Sequence, residues 1–210
     1  MASKRLFLYR TANCGYEFRG EMVGVFRRTG LLVAALAVAA GIAPVAAAST
    51  GLVSTSAASA PYCGITWGSQ AKTDANATTA PELTNVRAGR HACFDRLVFD
   101  VRGGNVTGYW VKYVARMGQE ATGWVVPLRG GAKLSITLPV SAYNDEGENT
   151  YHFANRRELV NVSGYRTFRQ VAWAGSFEAT TSVGLGLRAR LPFRVFTLPG
   201  RLVVDVAHSW

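Results

Sequence analysis

Several features that would identify an enzyme or a membrane protein are missing from this sequence of 210 residues. The three histidines are far apart and do not have the paired spacing that zinc ligands usually show. No Gly-x-Ser-x-Gly nucleophile motif is present. The longest apolar run, residues 31–40, is shorter than the roughly 20 residues that a membrane-spanning helix needs. We therefore predict no metal site, no cofactor and no stable membrane insertion, and we do not expect an enzyme.

The apolar run has the surroundings of a secretory signal peptide. The pair 27–28 is Arg-Arg, Pro44 ends the run, and three alanines follow at 46–48. Basic residues, a short apolar core and small residues at the end are typical of a cleaved signal. We interpret residues 1–48 as a leader and signal peptide.

Three points about this leader stay open. Met22 is an alternative start that would give a signal of ordinary length. The arginine pair is compatible with export by the twin-arginine route, but the pair alone is weak evidence. Retention of the run as an N-terminal anchor is the alternative to cleavage.

Cleavage after Ala48 changes the charge balance. The remaining chain keeps 17 of 23 basic residues and 11 of 13 acidic residues, a net charge of +6. Positive charge favours anionic polymers as partners. For an exported protein we expect cell-wall polysaccharide or peptidoglycan, and we expect no nucleic acid.

The exported part is predicted to be a short linker and one domain. Residues 49–61 are small and polar, which is typical of a flexible linker, and residues 62–210 are long enough to bury a core. Cys63 and Cys93 are the two cysteines of this part, and they most simply form one disulfide. Two unpaired thiols, the alternative, would need a reducing compartment.

Side chains of the domain alternate with a period of two, as in strands that have one buried face. We predict an all-β fold, a β-sandwich or partly open barrel of about eight short, mostly antiparallel strands with one disulfide. Residues 143–157 read as a long loop, and residues 155–166 are predicted to contain one or two short helices.

The last two strands allow their register to be predicted. A hairpin around Pro199 and Gly200 that places Leu198 opposite Arg201 also places Arg194 opposite Asp205. Every other pair then matches in kind, and a slip of one residue destroys the match.

Residues His91 and Asp95, with Asp100 nearby, are the first candidates for chemistry. A nucleophilic site needs a hydroxyl or thiol beside an oriented base, and the sequence indicates no such partner. We favour a structural role in which Asp95 and Arg96 bridge strand ends.

Two acidic sets are weaker candidates. Residues 144–149 place oxygen ligands around a glycine but lack the spacing of a calcium loop. Glycoside hydrolysis requires a pair of carboxylates in a cleft, and no spacing selects such a pair. The carboxylates considered are Asp95, Asp100, Glu158 and Glu178.

A ligand-binding face is predicted near one end of the sheet. Gly184 and Gly186 leave one strand face with little bulk, and arginines follow with the same alternation. Guanidinium groups bind carboxylates in a bidentate way, and aromatic rings stack on sugars. The proposed binding residues are Arg169, Trp173, Arg188 and Arg190. The alternative is a solvated sheet face with Trp173 in the core.

Five segments resemble the AMIN-like domain of secreted actinobacterial proteins. They are YCGITWG at 62–68, VRAGRHACFDRLVFD at 86–100, RQVAWAGSFE at 169–178, GLGLRARLPFRV at 184–195 and VVDVAH at 203–208. This family is named for its likeness to the AMIN domain, a β-sandwich that directs wall amidases and secretins to peptidoglycan. The resemblance implies a noncatalytic, secreted binding module of the cell envelope. A protein-interaction domain of the envelope is the alternative, and a wall glycan hydrolase is a remote one.

Overall fold

The computed structural model describes residues 61–76 and 81–210. The predicted leader, and the predicted linker apart from Pro61, lie outside the described residues. No helix within the described residues is long and apolar enough to cross a membrane.

The described residues form eleven strands and a single 3₁₀ turn, Tyr62–Gly64. The strands are β1 (Lys72–Asp74), β2 (Glu82–Arg90), β3 (Phe94–Arg102), β4 (Tyr109–Val114), β5 (Met117–Gly118), β6 (Val125–Val126), β7 (Ala132–Leu138), β8 (Phe168–Phe177), β9 (Thr180–Leu187), β10 (Phe193–Leu198) and β11 (Arg201–Ala207).

The strands pair into two main sheets. One has the order β1-β4-β7-β9-β8 and the other β10-β11-β3-β2, while β5 and β6 form a small third sheet. All pairs of strands are antiparallel. A single core cluster joins the sheets, with Phe99 of β3 and Leu202 of β11 packed with Ile136 of β7 and Leu185 of β9. The predicted all-β sandwich is thus confirmed, and the barrel is not closed.

The structure has eleven strands where about eight were predicted, and one local prediction is wrong. Strands β1 and β5 have three and two residues, which are too few to show an alternating pattern in the sequence. The predicted short helices in residues 155–166 are wrong. Asn155 and Asn161 instead accept hydrogen bonds from the backbone two residues ahead, at Arg157 and Ser163, which produces turns.

The predicted register of the last hairpin is confirmed at all six pairs, from Phe193 opposite Val206 to Leu198 opposite Arg201. Gly200 has φ of 65°, the left-handed conformation that a two-residue Pro-Gly connection requires. The predicted charge match is also present, because Arg194 Nε lies 2.7 Å from Asp205 Oδ2.

The predicted disulfide joins Cys63 and Cys93, which are separated by 30 residues in the sequence. It attaches the 3₁₀ turn to the residue that immediately precedes β3. The N-terminal end of the described domain is thereby fixed to the sheet that contains β3.

Candidate ligand-binding groove

Strand β8 lies at the edge of the larger sheet, and a loop covers part of that edge. The backbone N–H of Trp173 donates to the carbonyl of Arg156 at 2.7 Å, and that of Leu159 donates to the carbonyl of Val171 at 2.8 Å. These bonds fix residues 156–159 along β8, although the residues form no strand themselves. The loop is one bank of a groove.

The second bank is the segment that leads into β7 and includes Arg129 and Gly130. It crosses the outer face of β9. A Cβ atom added at Gly186 would lie 2.2 Å from the carbonyl oxygen of Arg129, and one at Gly130 would lie 2.1 Å from that of Leu187. Such distances exclude any side chain, so glycine is required at both positions. The predicted open glycine face is therefore wrong, since Arg129 covers Gly186, and Leu128 with Met117 cover Gly184.

Buried Gln170 of β8 connects the two banks. Its Oε1 accepts a hydrogen bond of 2.7 Å from the backbone N–H of Arg129, and its Nε2 donates one of 2.8 Å to the carbonyl of Arg157. Both ends of one amide are thus occupied, one by each bank. The width of the groove is set by a side chain that is itself only 4% exposed.

Three adjoining depressions make up the groove. The first, beside Trp173, shares Pro127 and Arg157 with the second, and the second shares Arg129 and Glu158 with the third, so the three follow one another along the edge of β8. We call this groove the arginine groove. The side chains that define it are Val125, Pro127, Arg129, Arg156, Arg157, Glu158, Arg169 and Trp173.

The groove has a strong excess of positive charge. Its four arginines face one carboxylate, Glu158, which pairs with Arg129. Arg156 and Arg157 are exposed, and within the described part of the chain no carboxylate lies at salt-bridge distance from either. Arg169 donates to the carbonyls of Tyr165 and Phe168 at 3.1 and 2.8 Å. Three of its four cations therefore lack a carboxylate partner among the described residues.

An apolar hairpin lies at one end of the groove. Val125, which lines the groove, is 57% exposed, and the preceding Trp124 is 73% exposed. Trp124 lies in the connection between β5 and β6, and Val125 is the first residue of β6. The exposed indole of Trp124 on this hairpin is suited to stacking on sugar rings or on other flat groups.

Two of the four residues predicted from the sequence line this groove. Trp173 and Arg169 lie at opposite ends, about 13 Å apart along β8 at the usual rise per residue. Trp173 is half-buried and packs against Tyr151 and Phe153, with ring centroids 5.7 and 5.2 Å away.

The other two predicted residues lie elsewhere. The guanidinium of Arg190 stacks on the ring of Tyr113, 4.8 Å from its centroid. Arg188 donates to the carbonyl of His208 and lines a separate depression with Arg166. The structure does not bring the four predicted residues together.

Sequence reasoning missed Arg156, Arg157 and Trp124. A pair of adjacent arginines inside a polar loop and a tryptophan directly after a glycine were visible signals. The proximity of the two arginines to Trp173 was not visible, because it depends on the pairing of the loop with the edge of β8.

The acidic and histidine candidates have structural partners. Asp95 does not contact His91, which stacks on Phe94. Its Oδ2 accepts hydrogen bonds of 2.6 Å from both the hydroxyl and the backbone N–H of Thr167, and its Oδ1 lies 3.1 Å from His208 Nε2. A nucleophilic site would need the hydroxyl beside the imidazole, whereas both groups here bind opposite oxygens of one carboxylate. The expected role of Asp95 as a bridge between strand ends is confirmed.

Burial alone would raise the pKa of the Asp95 carboxyl. The hydrogen bonds from the side chain and backbone of Thr167, from His208 and from the Phe168 amide outweigh that effect, and they hold the pKa below its ordinary value. The carboxylate is thus stabilised in its charged form although it is fully buried.

The loop at 144–149 is closed by its own groups. Asn144 Oδ1 accepts a hydrogen bond of 2.8 Å from the backbone of Glu148, and its Nδ2 donates to the Glu148 carboxylate. Among the residues that the structure describes, no group of three or more His, Cys, Asp or Glu side chains is arranged to hold a metal ion.

The fold is an antiparallel β-sandwich with a cationic groove at one sheet edge. The family model of the AMIN-like domain matches residues 81–208, more than half of the chain. The chain therefore belongs to the AMIN-like domain family, whose members are noncatalytic modules associated with the cell envelope. Searches of curated proteins and of solved structures found no match.

Proposed function

We propose that this protein is exported and binds a cell-wall polymer, peptidoglycan or an anionic polymer attached to it, without catalysis. One observation carries the proposal: Arg156 and Arg157 present two adjacent exposed guanidinium groups on a bank that the backbone of β8 holds in place. Family membership supports the envelope as the compartment.

The groove offers two kinds of contact to such a polymer. Arginine forks bind carboxylate and phosphate oxygens through two parallel hydrogen bonds. Trp124, the residue before groove-lining Val125, adds an exposed indole on the hairpin at the end of the groove. Arg169 and Trp173, predicted from the sequence, remain part of the proposed site.

Co-sedimentation of the purified protein with isolated peptidoglycan sacculi tests the proposal. Replacing Arg156 and Arg157 together by alanine is expected to weaken binding roughly tenfold or more, because two charge-assisted contacts are lost. The double variant Arg102→Ala/Arg201→Ala is the matched control. It removes the same charge from the outer face of the other sheet and should bind like the wild type.

Two results would count against the proposal. The first is absence of the wild-type protein from the pellet at low and moderate salt. The second is binding that disappears at moderate salt equally for all variants, which indicates attraction by net charge alone. The variant Arg188→Ala/Arg190→Ala tests the site predicted from the sequence, and its retention of full binding restricts the contact surface to the groove.

The rival proposal is an envelope protein-interaction domain, and one surface favours it. On the outer face of the smaller sheet, the guanidinium groups of Arg96 and Arg194 both stack on Phe94 and Phe196 at 5.1 to 5.5 Å from the ring centroids. Arginine and aromatic side chains are common at protein interfaces. Binding to sacculi that is unaffected by changes in the groove and lost on changes of this face would support the rival.

A further inference from the structure

We infer, on the basis of the proposed function, that the arginine groove selects a polymer by anionic groups repeated along several successive units, and not by its neutral sugar backbone. The ligand class is an extended polyanion whose charges are phosphodiester or carboxylate groups. The inference rests on the spacing of the cations, on the hydrogen-bonding character of the groove and on its rigidity.

The cations are distributed along the whole groove. Arg156 and Arg157 line the first depression, Arg157 and Arg129 the second, and Arg129 and Arg169 the third. The distance from Trp173 to Arg169 along β8 is about 13 Å, which exceeds the reach of a single small anion. One ligand contacts all four arginines only if its anionic groups repeat along an extended chain.

The hydrogen-bonding groups of the groove are mainly donors. A guanidinium has five N–H donors and no acceptor. Three acceptor side chains that line the groove are already engaged, because Glu158 pairs with Arg129, and the side-chain oxygens of Asn155 and Asn161 accept backbone hydrogen bonds. A sugar hydroxyl needs both a donor and an acceptor, whereas a phosphodiester or carboxylate oxygen needs donors alone. The groove is therefore complementary to anions.

Both banks are held in place before any ligand binds. The hydrogen bonds of Gln170 join them, and the bonds of Trp173 and Leu159 attach one bank to β8. Arg129 also donates to the carbonyl of Arg169 at 2.8 Å, which orders the middle of the groove. A prepared site loses less conformational entropy on binding, so spaced anionic groups are recognised without rearrangement of the backbone.

Sacculi with and without their attached polymers provide the test. Binding of the purified protein is measured by co-sedimentation with intact sacculi and with sacculi from which phosphodiester-linked polymers have been removed by acid. We expect at least tenfold weaker binding after removal if phosphodiesters are the source of the charge. Undiminished binding, with competition by polygalacturonate, assigns the charge to carboxylates and also supports the inference.

Soluble competitors separate polymer recognition from simple charge attraction. Long-chain polyphosphate should compete at least tenfold better than tripolyphosphate at equal phosphate concentration, and neutral dextran should not compete. The Arg156→Ala/Arg157→Ala variant should lose most of this preference for length, and the Arg102→Ala/Arg201→Ala control should keep it.

The possible failures are distinguishable. A wild-type protein that does not bind intact sacculi overturns the proposed function. A protein that binds intact and stripped sacculi equally, and that dextran displaces as well as either polyanion, retains the proposed function but overturns the inference. Equal competition by short and long polyphosphate also overturns it, as does equal loss of binding in the control variant.

Discussion

Single residues decide how close the two banks of the groove can come to the sheet. Gly184 and Gly186 were visible in the sequence as a strand face without bulk, and we interpreted the face as open to a ligand. The structure fills that space with protein, because Arg129 crosses Gly186 at backbone contact distance. Glycines on one strand face are equally compatible with an open surface and with another chain segment packed closely on the strand. The structure shows the second arrangement.

The two glycines differ in what covers them, because backbone lies over Gly186 and side chains lie over Gly184. Replacing Gly186 by alanine should lower the free energy of unfolding by about 3 kcal/mol, because the new methyl group meets the rigid backbone of Arg129. Replacing Gly184 should cost only about 1 kcal/mol, because its nearest neighbours are the flexible side chains of Leu128 and Met117. Urea denaturation of both variants measures the difference.

The variant Gly68→Ala is the control, since its methyl group would lie 3.6 Å from the end of the Lys72 side chain. Its free energy of unfolding should stay within about 0.5 kcal/mol of the wild type. Equal stability of the Gly186 and Gly68 variants would contradict the close approach of Arg129 to β9.

At the scale of elements, β3 is the strand to which the ends of other elements are attached. Cys93, just before it, carries the disulfide, and Arg96 forms a bidentate pair with Asp205 of β11 at 2.7 and 2.9 Å. Asp95 binds the backbone of Thr167, which immediately precedes β8 in the other sheet. The strand therefore links both sheets at one end of the sandwich.

Removing the charge of Asp95 should weaken this link between the two sheets and lower the free energy of unfolding. The unfolded carboxyl titrates near its ordinary pKa of about 3.9, and the folded one titrates lower. As pH falls below about 4, the unfolded chain binds the proton first, so the stability that this group contributes is present above that pH and is lost below it. At neutral pH the free energy of unfolding of the variant Asp95→Asn should be about 3 kcal/mol lower than that of the wild type. On acidification it should fall less than that of the wild type.

Denaturant titrations between about pH 2 and 7 measure both quantities. The exposed carboxyl of Asp145 supplies the control, and Asp145→Asn should follow the wild-type curve within about 0.5 kcal/mol. A constant difference between Asp95→Asn and the wild type over the whole range would show that the carboxylate charge is not what stabilises the link.

At the scale of the whole molecule, the disulfide is the covalent restraint on the described domain. It closes a segment of 30 residues, and the entropy of such a loop corresponds to about 3 to 4 kcal/mol of stability. Cys63 is exposed, so a soluble reductant has access to the bond. We expect reduction to lower the free energy of unfolding by that amount and therefore to shift the urea midpoint to a lower concentration.

The double variant Cys63→Ser/Cys93→Ser should unfold at the midpoint of the reduced wild type and should not respond to reductant. An unchanged midpoint of the wild type after complete reduction would show that the crosslink adds nothing to the stability of the folded domain. Free thiol counts before and after treatment verify that the bond was broken.

Local chemistry was sufficient to predict much of the architecture. Alternation of side chains predicted the all-β sandwich, and the matching of Arg194 with Asp205 predicted the register of the last hairpin at every pair. These features depend on neighbours along one strand or across one turn, and their physical causes are contained in a few consecutive residues. The same holds for the pairing of Cys63 with Cys93, because only two cysteines remain beyond the predicted leader.

The groove belongs to the tertiary structure. Arg129, Arg157 and Arg169 come together because buried Gln170 joins two banks that are about 30 residues apart in the chain, and because the edge of β8 binds a loop that has no strand pattern of its own. Hydrogen bonds between distant segments leave no periodic signal in either segment. The sequence by itself determined a β-sandwich with a disulfide and an excess of arginine; only the packing of loops on one sheet edge decided where that charge is concentrated.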